Sequence, residues 1–325
     1  MSSSPVLLTG ATGFVGKAVL ASLLKRGEKV TAVVRGSSAQ VDSRATLARI
    51  SSLDGQTQWQ ECLQDVQVVI HAAARVHVMN DTEADPLAAF RKVNVEGTLN
   101  LARQAAAAGV RRFVFISSIK VNGEGTLPGQ PYRADDTPAP IDPYGISKME
   151  AEQGLRALAE QTGLEVVIIR PVLVYGPGVK ANFLSMMRWL DKGVPLPFGA
   201  IDNRRSLVAL DNLVDLIVTC TSHPAAANQI FLVSDGEDLS TTMLLKRMAG
   251  ALGKSARLLP IPSALLVLAA RSLGKRALSQ RLCGFLQVDI EKTRSLLGWK
   301  PVVSVDQALS SVARHYQDNQ DNQDK

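Results

Sequence analysis

The chain has 325 residues, of which 46% are hydrophobic and 20% are charged, and its net charge is +6. This length and composition are typical of a globular protein with one large domain or a domain and a smaller lobe. The basic residues form only short clusters, Arg111-Arg112 and Arg204-Arg205, and a scattered set of Arg271, Lys275, Arg276 and Arg281. That pattern argues against a nucleic-acid partner and favours pockets for anionic ligands.

Three cysteines, Cys62, Cys220 and Cys283, are widely spaced and odd in number, and the four histidines are scattered. Neither set has the spacing of a disulfide framework or of a metal site, so we predict no metal. The first residues lack the basic region of a signal peptide. The longest apolar stretch, Ile261–Ala270, is too short to cross a bilayer. We therefore predict a cytoplasmic protein with no transmembrane segment.

Short β-branched runs alternate with helical stretches along the first half of the chain. The predicted strands are Val6–Thr9, Lys29–Val34, Val66–His71, Arg112–Ser117 and Glu165–Arg170, and the predicted helices are Gly13–Arg26, Leu87–Ala108 and Pro143–Gln161. This order predicts an α/β fold with a doubly wound parallel sheet covered by helices on both faces. We expect residues 1–170 to form a Rossmann-type domain.

Prolines and glycines cluster after Pro171, and the alternation of strands and helices becomes less regular. We expect residues 171–316 to form mainly a smaller, mixed α/β substrate-binding lobe, with segments that can return to the Rossmann sheet. Residues 317–325 are a polar run of Asp, Asn and Gln that we expect to be disordered. For the helix around Ser263–Arg281 we favour packing on its own domain over lying on a membrane surface.

The segment from Gly10 to Gly16 follows a predicted strand and opens a predicted helix. Its glycines, Gly10, Gly13 and Gly16, permit a tight turn and a close approach of the backbone to a pyrophosphate. The free N–H groups of the helix N-terminus add a positive partial charge. A second strand follows about twenty residues later, which is the context that a dinucleotide site requires. The sequence therefore predicts a bound nicotinamide dinucleotide.

The end of the second strand selects between the two dinucleotides. An acidic residue there would hydrogen-bond the adenosine ribose and indicate NAD. This chain instead has Arg35, which can accommodate a 2′-phosphate or stack on adenine. The sequence favours NADP(H), with NAD as the open alternative.

Tyr144 and Lys148 are four residues apart on one face of a predicted helix, and Ser117 and Ser118 end a predicted strand upstream. These elements converge at the ligand crevice of a doubly wound sheet. Hydride exchange with an alcohol needs a group that takes or gives the hydroxyl proton, and a nearby ammonium helps a tyrosine to do so. We therefore predict Tyr144, Lys148 and Ser118 as the catalytic residues.

With these motifs in order, the chain resembles the extended short-chain dehydrogenase/reductase family, in its nucleotide-sugar epimerase/dehydratase branch. The resemblance covers nearly the whole chain. It depends on Thr9–Gly16, His71–Ala74, Asn94–Thr98, Ser117-Ser118, Tyr144 with Lys148, Arg170-Pro171, Tyr175–Gly178 and Leu297–Pro301.

The resemblance implies roles for individual residues. Cofactor binding is expected at Gly10, Thr12, Gly13, Phe14, Val15, Gly16, Arg35, Ala72, Ala73, Ala74, Asn94, Ser117, Tyr144, Lys148 and Pro171. Substrate binding is expected at Arg75, Ser118, Leu173, Asn182, Arg205 and Arg281. In this family Asn182 resembles the asparagine that contacts a nucleotide-sugar phosphate, and Arg205 resembles the arginine that meets the diphosphate. The implied partner is a UDP-sugar, and a homodimer through the two long helices is expected.

Two positions depart from the pattern of UDP-galactose 4-epimerases. Leu173 replaces an asparagine, and Gln280-Arg281-Leu282 replaces a late diphosphate-binding segment, for which Arg281 is the expected substitute. Residues 71–79 and 175–183 most resemble a bacterial subgroup of 4-ketoreductases that make UDP-N-acetylquinovosamine, a surface-polysaccharide precursor.

Three functions remain open from the sequence. The favoured one is an NAD(P)H-dependent reductase of UDP-4-keto-6-deoxy-N-acetylglucosamine. The second is a UDP-glucose or UDP-N-acetylglucosamine 4-epimerase, which would use the same residues twice and retain its NAD. The third is a non-catalytic, NAD(P)-sensing scaffold, against which the Tyr144–Lys148 pair argues.

Overall fold

A computed structural model describes residues 5–36, 41–76, 85–274 and 276–321 of the chain. The strands in these ranges are β1 (Val6–Thr9), β2 (Val30–Arg35), β3 (Thr46–Ile50), β4 (Val68–His71), β5 (Arg112–Ile116), β6 (Glu165–Pro171), β7 (Leu173–Tyr175), β8 (Arg205–Ala209), β9 (Ile230–Val233) and β10 (Asp238–Leu239). The helices are α1 (Phe14–Lys25), α2 (Pro86–Arg91), α3 (Thr98–Ala107), α4 (Pro143–Thr162), α5 (Ala181–Asp191), α6 (Leu210–Ser222), α7 (Thr241–Ala251), α8 (Ser263–Ser272), α9 (Arg276–Cys283), α10 (Glu291–Leu297) and α11 (Val305–Asp321).

The large sheet has the strand order β3-β2-β1-β4-β5-β6-β9, and each neighbouring pair is parallel. Every residue of β1, β4 and β5 is buried, as expected for strands covered on both faces. Helices α1 and α6 contribute to the core on one face, and α3 and α4 to the core on the other. The predicted doubly wound, Rossmann-type sheet is therefore confirmed.

The smaller lobe contains a three-stranded sheet of order β10-β8-β7, in which β7 and β8 are parallel and β10 is antiparallel. Apolar residues of α5, α7 and α11 pack on it and form a second core. Between β8 and β10 the chain returns to the large sheet, where α6 packs against α1 and β9 pairs with β6. The carboxyl ends of the parallel strands β1, β4, β5 and β6 thus point to the same side of the large sheet, next to the smaller lobe.

The long helix predicted over Leu87–Ala108 consists of α2, a π-helical stretch over Lys92–Gly97, and α3. The π-helical stretch inserts extra backbone, which shifts the faces that the two parts present. Such stretches are frequent at functional sites. This one contains the buried Asn94, a predicted site residue.

The predicted disorder of residues 317–325 differs from the structure, in which α11 continues to Asp321. Two side-chain hydrogen bonds each join residues one helical turn apart near the end of α11. Asn319 pairs with His315 at 3.0 Å, and Gln320 Nε2 donates to Tyr316 Oη at 2.7 Å. The apolar face of α11 is anchored in the second core, and the polar residues continue its hydrogen-bonding pattern. Residues 322–325 lie outside the described ranges.

Helix α8 lies in the region for which the sequence favours packing on its own domain. None of its ten residues is buried, and its main packing partner is α9. Across the described ranges, no helix combines the length and the apolar character that crossing a membrane requires.

A buried carboxylate ties α4 to the large sheet. Glu152 binds the guanidinium of Arg170 on β6 through Nε and Nη2, with a shortest distance of 2.6 Å, and accepts a hydrogen bond from the Ser117 hydroxyl after β5. Arg170 Nη1 also donates to Asn122 Oδ1 at 3.0 Å. Both members of the ion pair are almost fully buried, so each depends on the other for its stabilisation.

The contribution of this pair can be compared with that of a second pair on the same helix. Glu152→Gln leaves Arg170 as an uncompensated buried charge and is expected to lower the free energy of unfolding by about 3 kcal/mol. Glu150→Gln breaks the more exposed pair with Arg91, at 2.5 Å, and is expected to cost less than about 1 kcal/mol. Urea unfolding of the two variants measures both values. Equal losses would show that burial does not set the strength of the Glu152 pair.

Candidate active site

The glycine loop lies between β1 and α1, against the end of β4. Gly10 has a φ of +72°, and a Cβ on it would lie 2.7 Å from the carbonyl carbon of Ala72 and the nitrogen of Ala73. A Cβ on Gly16 would overlap the carbonyl oxygen of Gly10. Both positions therefore require glycine. Gly10 requires it for its backbone conformation and its close contacts, and Gly16 for its close contact alone.

The loop leaves hydrogen-bond donors available at the start of α1. Gly13 precedes the helix in an extended conformation, with no side chain capping it and no acidic residue in the first turn. Thr12 and Gly13 are exposed, whereas Phe14 and Val15 are partly buried against the core. Unpaired N–H groups at a helix N-terminus suit a phosphate. The loop therefore fits the pyrophosphate of a dinucleotide, held by the main chain around Gly10–Gly16.

A buried hydrogen-bonded chain holds the end of β4 beside this loop. The Ala73 nitrogen donates to Thr9 Oγ1 at 3.3 Å, Thr9 Oγ1 lies 2.7 Å from His71 Nδ1, and His71 Nε2 lies 2.9 Å from Thr98 Oγ1. Burial, with a smaller effect of Lys148, lowers the pKa of His71 to about 3, so the ring is neutral. Ala72 and Ala73 are thereby placed next to Gly10, and Ala74 follows them in the segment that the sequence predicts to line the cofactor.

The end of β2 carries two arginines. Arg35 is exposed at the last position of β2, and Arg49 on the neighbouring strand β3 donates through Nη1 to the Gly36 carbonyl at 2.5 Å. Sequence reasoning identified Arg35 but missed Arg49, because β3 itself was not predicted. Two cations at this position suit an anionic group on an adenosine ribose.

Helix α4 carries Tyr144, the predicted catalytic tyrosine, in its first turn. Asp142 caps the helix by accepting from the Gly145 nitrogen at 2.6 Å, and Pro143 occupies the first turn. This start places Tyr144 at the open end of α4, with Lys148 one turn deeper. Ser118 follows β5, and its hydroxyl forms a hydrogen bond with the Tyr144 phenol. The structure therefore brings the three predicted catalytic residues together.

The phenol of Tyr144 is protonated at neutral pH. Burial, helped by the charge of Asp142, raises the pKa of Tyr144 to about 12, while the hydrogen bond from Ser118 lowers it. Deprotonation at pH 7 would cost about 7 kcal/mol. Burial is the largest of these effects. The site thus holds a proton that it can donate.

Lys148 is fully buried, and its Nζ lies 4.1 Å from the centroid of the Phe115 ring. Burial lowers the pKa of Lys148 to about 7, whereas the negative charge of Glu152 raises it. The ring face stabilises the ammonium through a cation–π contact. Lys148 can therefore be present both as ammonium and as amine near neutral pH.

Two further contacts set the position of Tyr144. The buried ring of Phe90 lies 6.0 Å from the Tyr144 ring at an interplanar angle of 63°, and the Arg75 guanidinium lies 5.6 Å from the Phe90 centroid. Phe90 was missed by sequence reasoning. Its spacing of four residues from Asn94 places both on one face of the helix, which is the signal that could have identified it.

Asn94 connects two segments of the site. Its Nδ2 donates to the Arg75 carbonyl and to Ser147 Oγ, each at 3.0 Å, and its Oδ1 accepts from the Arg75 nitrogen at 2.8 Å. Ser147 Oγ in turn donates to the Tyr144 carbonyl at 2.8 Å. Asn94 therefore fixes the exit of β4 relative to the first turn of α4.

Ser117 and Pro171 were predicted to line the cofactor. Both are buried at the ends of neighbouring strands. The Ser117 hydroxyl donates to Glu152 and faces the buried ion pair, which leaves the main chain of Ser117 as the part that can face a cofactor.

Arg205 and Arg281 approach each other in the smaller lobe. Burial, followed by the charge of Arg281, lowers the pKa of Arg205. Arg205 Nη1 donates to the Gly284 carbonyl at 3.1 Å, and Asn203 holds the carbonyls of Leu282 and Gly284 at 3.2 and 2.9 Å. Two arginines held close together form a site that favours an anion.

The other predicted substrate residues lie on separate elements. Leu173 is exposed on β7, and Asn182 is exposed in the first turn of α5, which has no side-chain cap. Ala181 has a φ of +54° at the start of this helix, a conformation that a non-glycine residue adopts at an energetic cost.

The role of the loop can be tested with two glycines of similar φ. Gly10→Ala is expected to weaken dinucleotide binding at least about 10-fold, because the added methyl group displaces the end of β4 from the loop. Gly27 has a φ of +77° with nothing within 4 Å of its Cβ position, so Gly27→Ala carries only the conformational cost of about 1 kcal/mol. Titration of nucleotide fluorescence with each variant measures the affinity. Equal weakening by both variants would contradict the role of the contact with Ala72 and Ala73.

The lowered pKa of Lys148 predicts how stability depends on pH. Because the folded protein binds this proton less tightly than the unfolded chain, the contribution of Lys148 to stability increases as the pH rises from about 7 to 10.5. Lys148→Met removes this titration. Over this window the unfolding free energy of the wild type is expected to increase by about 4 kcal/mol relative to that of the variant. A difference that stays constant in urea unfolding from pH 7 to 10 would show that the Lys148 pKa is ordinary.

Comparisons with known proteins identify the family of this chain. Residues 6–234 match the model of the NAD dependent epimerase/dehydratase family. A Vibrio cholerae protein named UDP-glucose 4-epimerase is 51% identical over 313 residues, covering 96% of this chain and 95% of that protein.

Two solved structures share the fold over 97% of this chain and 99% of theirs. The UDP-glucose 4-epimerase of Thermotoga maritima, solved with UDP-glucose, has a TM-score of 0.75 at 23% identity. The UDP-glucuronic acid 4-epimerase of Bacillus cereus, solved with NAD, has a TM-score of 0.75 at 21% identity. The resemblance inferred from the motifs is thereby confirmed, and the chain belongs to the NAD-dependent epimerase/dehydratase family of enzymes.

Proposed function

We propose that the protein is a reductase that uses NADPH to reduce C4 of a UDP-4-keto sugar, and that its substrate is UDP-4-keto-6-deoxy-N-acetylglucosamine. The observation that carries the choice of cofactor is the cationic end of β2, where Arg35 is exposed and Arg49 contacts Gly36. A 2′-phosphate would be favoured there. A reductase must also exchange its cofactor after each turnover, which suits a phosphate held at an exposed edge.

The nucleotide-sugar part of the proposal is supported by the cationic site in the smaller lobe. Arg205 and Arg281 would meet the diphosphate, because each can form charge-assisted hydrogen bonds to phosphate oxygens. Asn182 lies at the uncapped start of α5 and would contact the same group. The Vibrio cholerae relative is named for a UDP-glucose reaction, which supports a UDP-sugar substrate here.

The chain would supply the proton and the orientation for the reaction. When bound, the reduced dinucleotide supplies the hydride that adds to C4. Tyr144, whose raised pKa keeps it protonated, would donate its proton to the oxygen as the ketone becomes an alcohol, and would recover a proton from solvent. Ser118 would hydrogen-bond the same oxygen and hold it near the phenol. Lys148, charged when protonated, would stabilise the phenolate left after the transfer.

A 4-epimerase is the second candidate, and the 51% identity with the Vibrio cholerae UDP-glucose 4-epimerase favours it. That reaction would oxidise C4 and reduce it again from the opposite face with the same residues. It needs a cofactor that stays bound and no external reductant. The exposed Leu173, at a position where 4-epimerases of this branch carry asparagine, favours the reductase.

The two functions are separated by two parallel turnover assays. With UDP-4-keto-6-deoxy-N-acetylglucosamine, we expect oxidation of NADPH to be faster than oxidation of NADH. We expect no interconversion of UDP-N-acetylglucosamine and UDP-N-acetylgalactosamine, or of UDP-glucose and UDP-galactose, without added cofactor. Stoichiometric NAD in the purified protein together with such interconversion would contradict the reductase and show a 4-epimerase.

Two variants control the assay. Tyr144→Phe is expected to lower kcat about 10²- to 10⁴-fold while leaving NADPH binding intact. Full turnover by this variant would contradict the role of Tyr144 as the proton donor, and absence of turnover by the wild type would favour the non-catalytic, cofactor-sensing alternative. Arg35→Ala is expected to weaken NADPH binding and leave NADH binding nearly unchanged, and equal effects on both would remove the argument for a 2′-phosphate.

A further inference from the structure

Helix α8 exposes large apolar side chains to solvent. Leu265 is 56% exposed and Leu268 is 65% exposed, and their spacing of three residues places them on one face of the helix. Leu259 before α8 and Leu273 after it are also at least half exposed. The half-buried Leu266, Val267 and Ala270 lie between these positions. We call the exposed leucines Leu265 and Leu268 of α8, with Leu259 and Leu273 on either side in sequence, the leucine face.

The positive charge of the protein is concentrated around this face. Residues 239–288 contain eight lysines and arginines and no aspartate or glutamate. The remainder of the chain carries 28 basic and 30 acidic residues. The net charge of +6 is therefore not spread over the molecule, as the scattered basic pairs suggested. It comes from the segment that includes α7, α8 and α9.

Part of this charge is neutralised by carboxylates outside the segment. Arg247 pairs with Glu237 at 2.5 Å, and Lys254 pairs with Asp191 at 2.5 Å. Arg257 and Arg271 are exposed on either side of the leucines, the first ahead of α8 and the second in its last turn. In the sequence, two further basic residues, Lys275 and Arg276, follow Arg271 within six positions. Cations thus flank the leucine face at both ends of α8.

We propose that the leucine face of the α8–α9 hairpin docks the protein on an anionic phospholipid bilayer. Apolar side chains flanked by cations, on a helix that its own domain does not bury, match the chemistry of a surface with an acyl interior and anionic head groups. A helix of ten residues is about 15 Å long, so it lies in the interface and does not cross the bilayer. A protein partner would have to supply both acidic residues and an apolar groove.

The hairpin also connects the docking surface to the candidate active site. Arg281, near the end of α9, faces Arg205, and Thr241 Oγ1 holds the following carbonyl of Leu282 at 2.6 Å. The leucines lie on α8 and Arg281 lies on α9, so the proposed docking surface and the cationic site use different helices of the hairpin. The proposal does not depend on whether the enzyme is a reductase or an epimerase.

Sedimentation of the full-length protein with lipid vesicles tests the proposal. We expect binding to vesicles of 70% phosphatidylcholine and 30% phosphatidylglycerol, weak binding to phosphatidylcholine alone, and loss of binding in 0.5 M NaCl. Leu265→Glu with Leu268→Glu is expected to weaken partitioning at least about 10-fold. Arg271→Glu is expected to weaken it about 10-fold at low salt.

Leu296→Glu on α10 is the matched control, because Leu296 is a 41% exposed helical leucine outside the acid-free segment. It is expected to bind vesicles like the wild type. All variants should keep the thermal unfolding midpoint of the wild type, since the changed side chains are exposed. Wild-type protein that stays in solution with anionic vesicles would overturn the proposal, as would equal binding by the double variant. A dimer in solution that the double variant dissociates, without vesicle binding, would assign the leucine face to a second copy of the chain.

Discussion

The buried carboxylate of Glu152 determines how helix α4 sits on the large sheet. It binds Arg170 of β6 and Ser117 after β5, so two neighbouring strands hold one side chain of the helix. Tyr144, Lys148 and Glu152 follow one another at intervals of four residues and therefore share one face of α4. Fixing Glu152 fixes the rotation of the helix about its axis. The contact of Tyr144 with Ser118 and that of Lys148 with the Phe115 ring both depend on this rotation.

The same arrangement places groups in protonation states that isolated side chains would not adopt. Burial keeps the proton on Tyr144 and weakens the hold of Lys148 on its own proton. Glu152 opposes the second effect, because its charge lies one turn from the ammonium. The ion pair with Arg170 prevents this carboxylate from being an unpaired charge itself. Structural support and electrostatic adjustment therefore come from one network, and neither can be altered without the other.

The sequence predicted the parts of the fold that depend on local patterns. Apolar runs such as Val6–Thr9 are buried strands, and glycine and proline mark the ends of helices such as α4, so their positions followed directly. Strand β3 was missed because Thr46–Ile50 mixes polar and apolar residues at the edge of the sheet. Arg49 was lost with it. Phe90 acts through a contact with Tyr144 across 54 positions of sequence, and Arg75 through contacts with Phe90 and Asn94 that no periodicity records. The ordered end of α11 depends on its anchoring in the second core, whereas composition alone suggested disorder.

Counting charges over the whole chain concealed another property. A net charge of +6 on 325 residues is ordinary. A segment of fifty residues with basic side chains and without any carboxylate side chain produces a local positive potential. Exposed leucines are also common on soluble surfaces and need no explanation one at a time. Leu296 is such a case, since it is isolated on α10. Leu265 and Leu268 differ because they are adjacent on a helix with no buried residue, inside the acid-free segment. The coincidence of these features gives the leucine face a partner of definite chemistry, because an anionic bilayer supplies both an apolar interior for the leucines and head groups of opposite charge to the flanking cations.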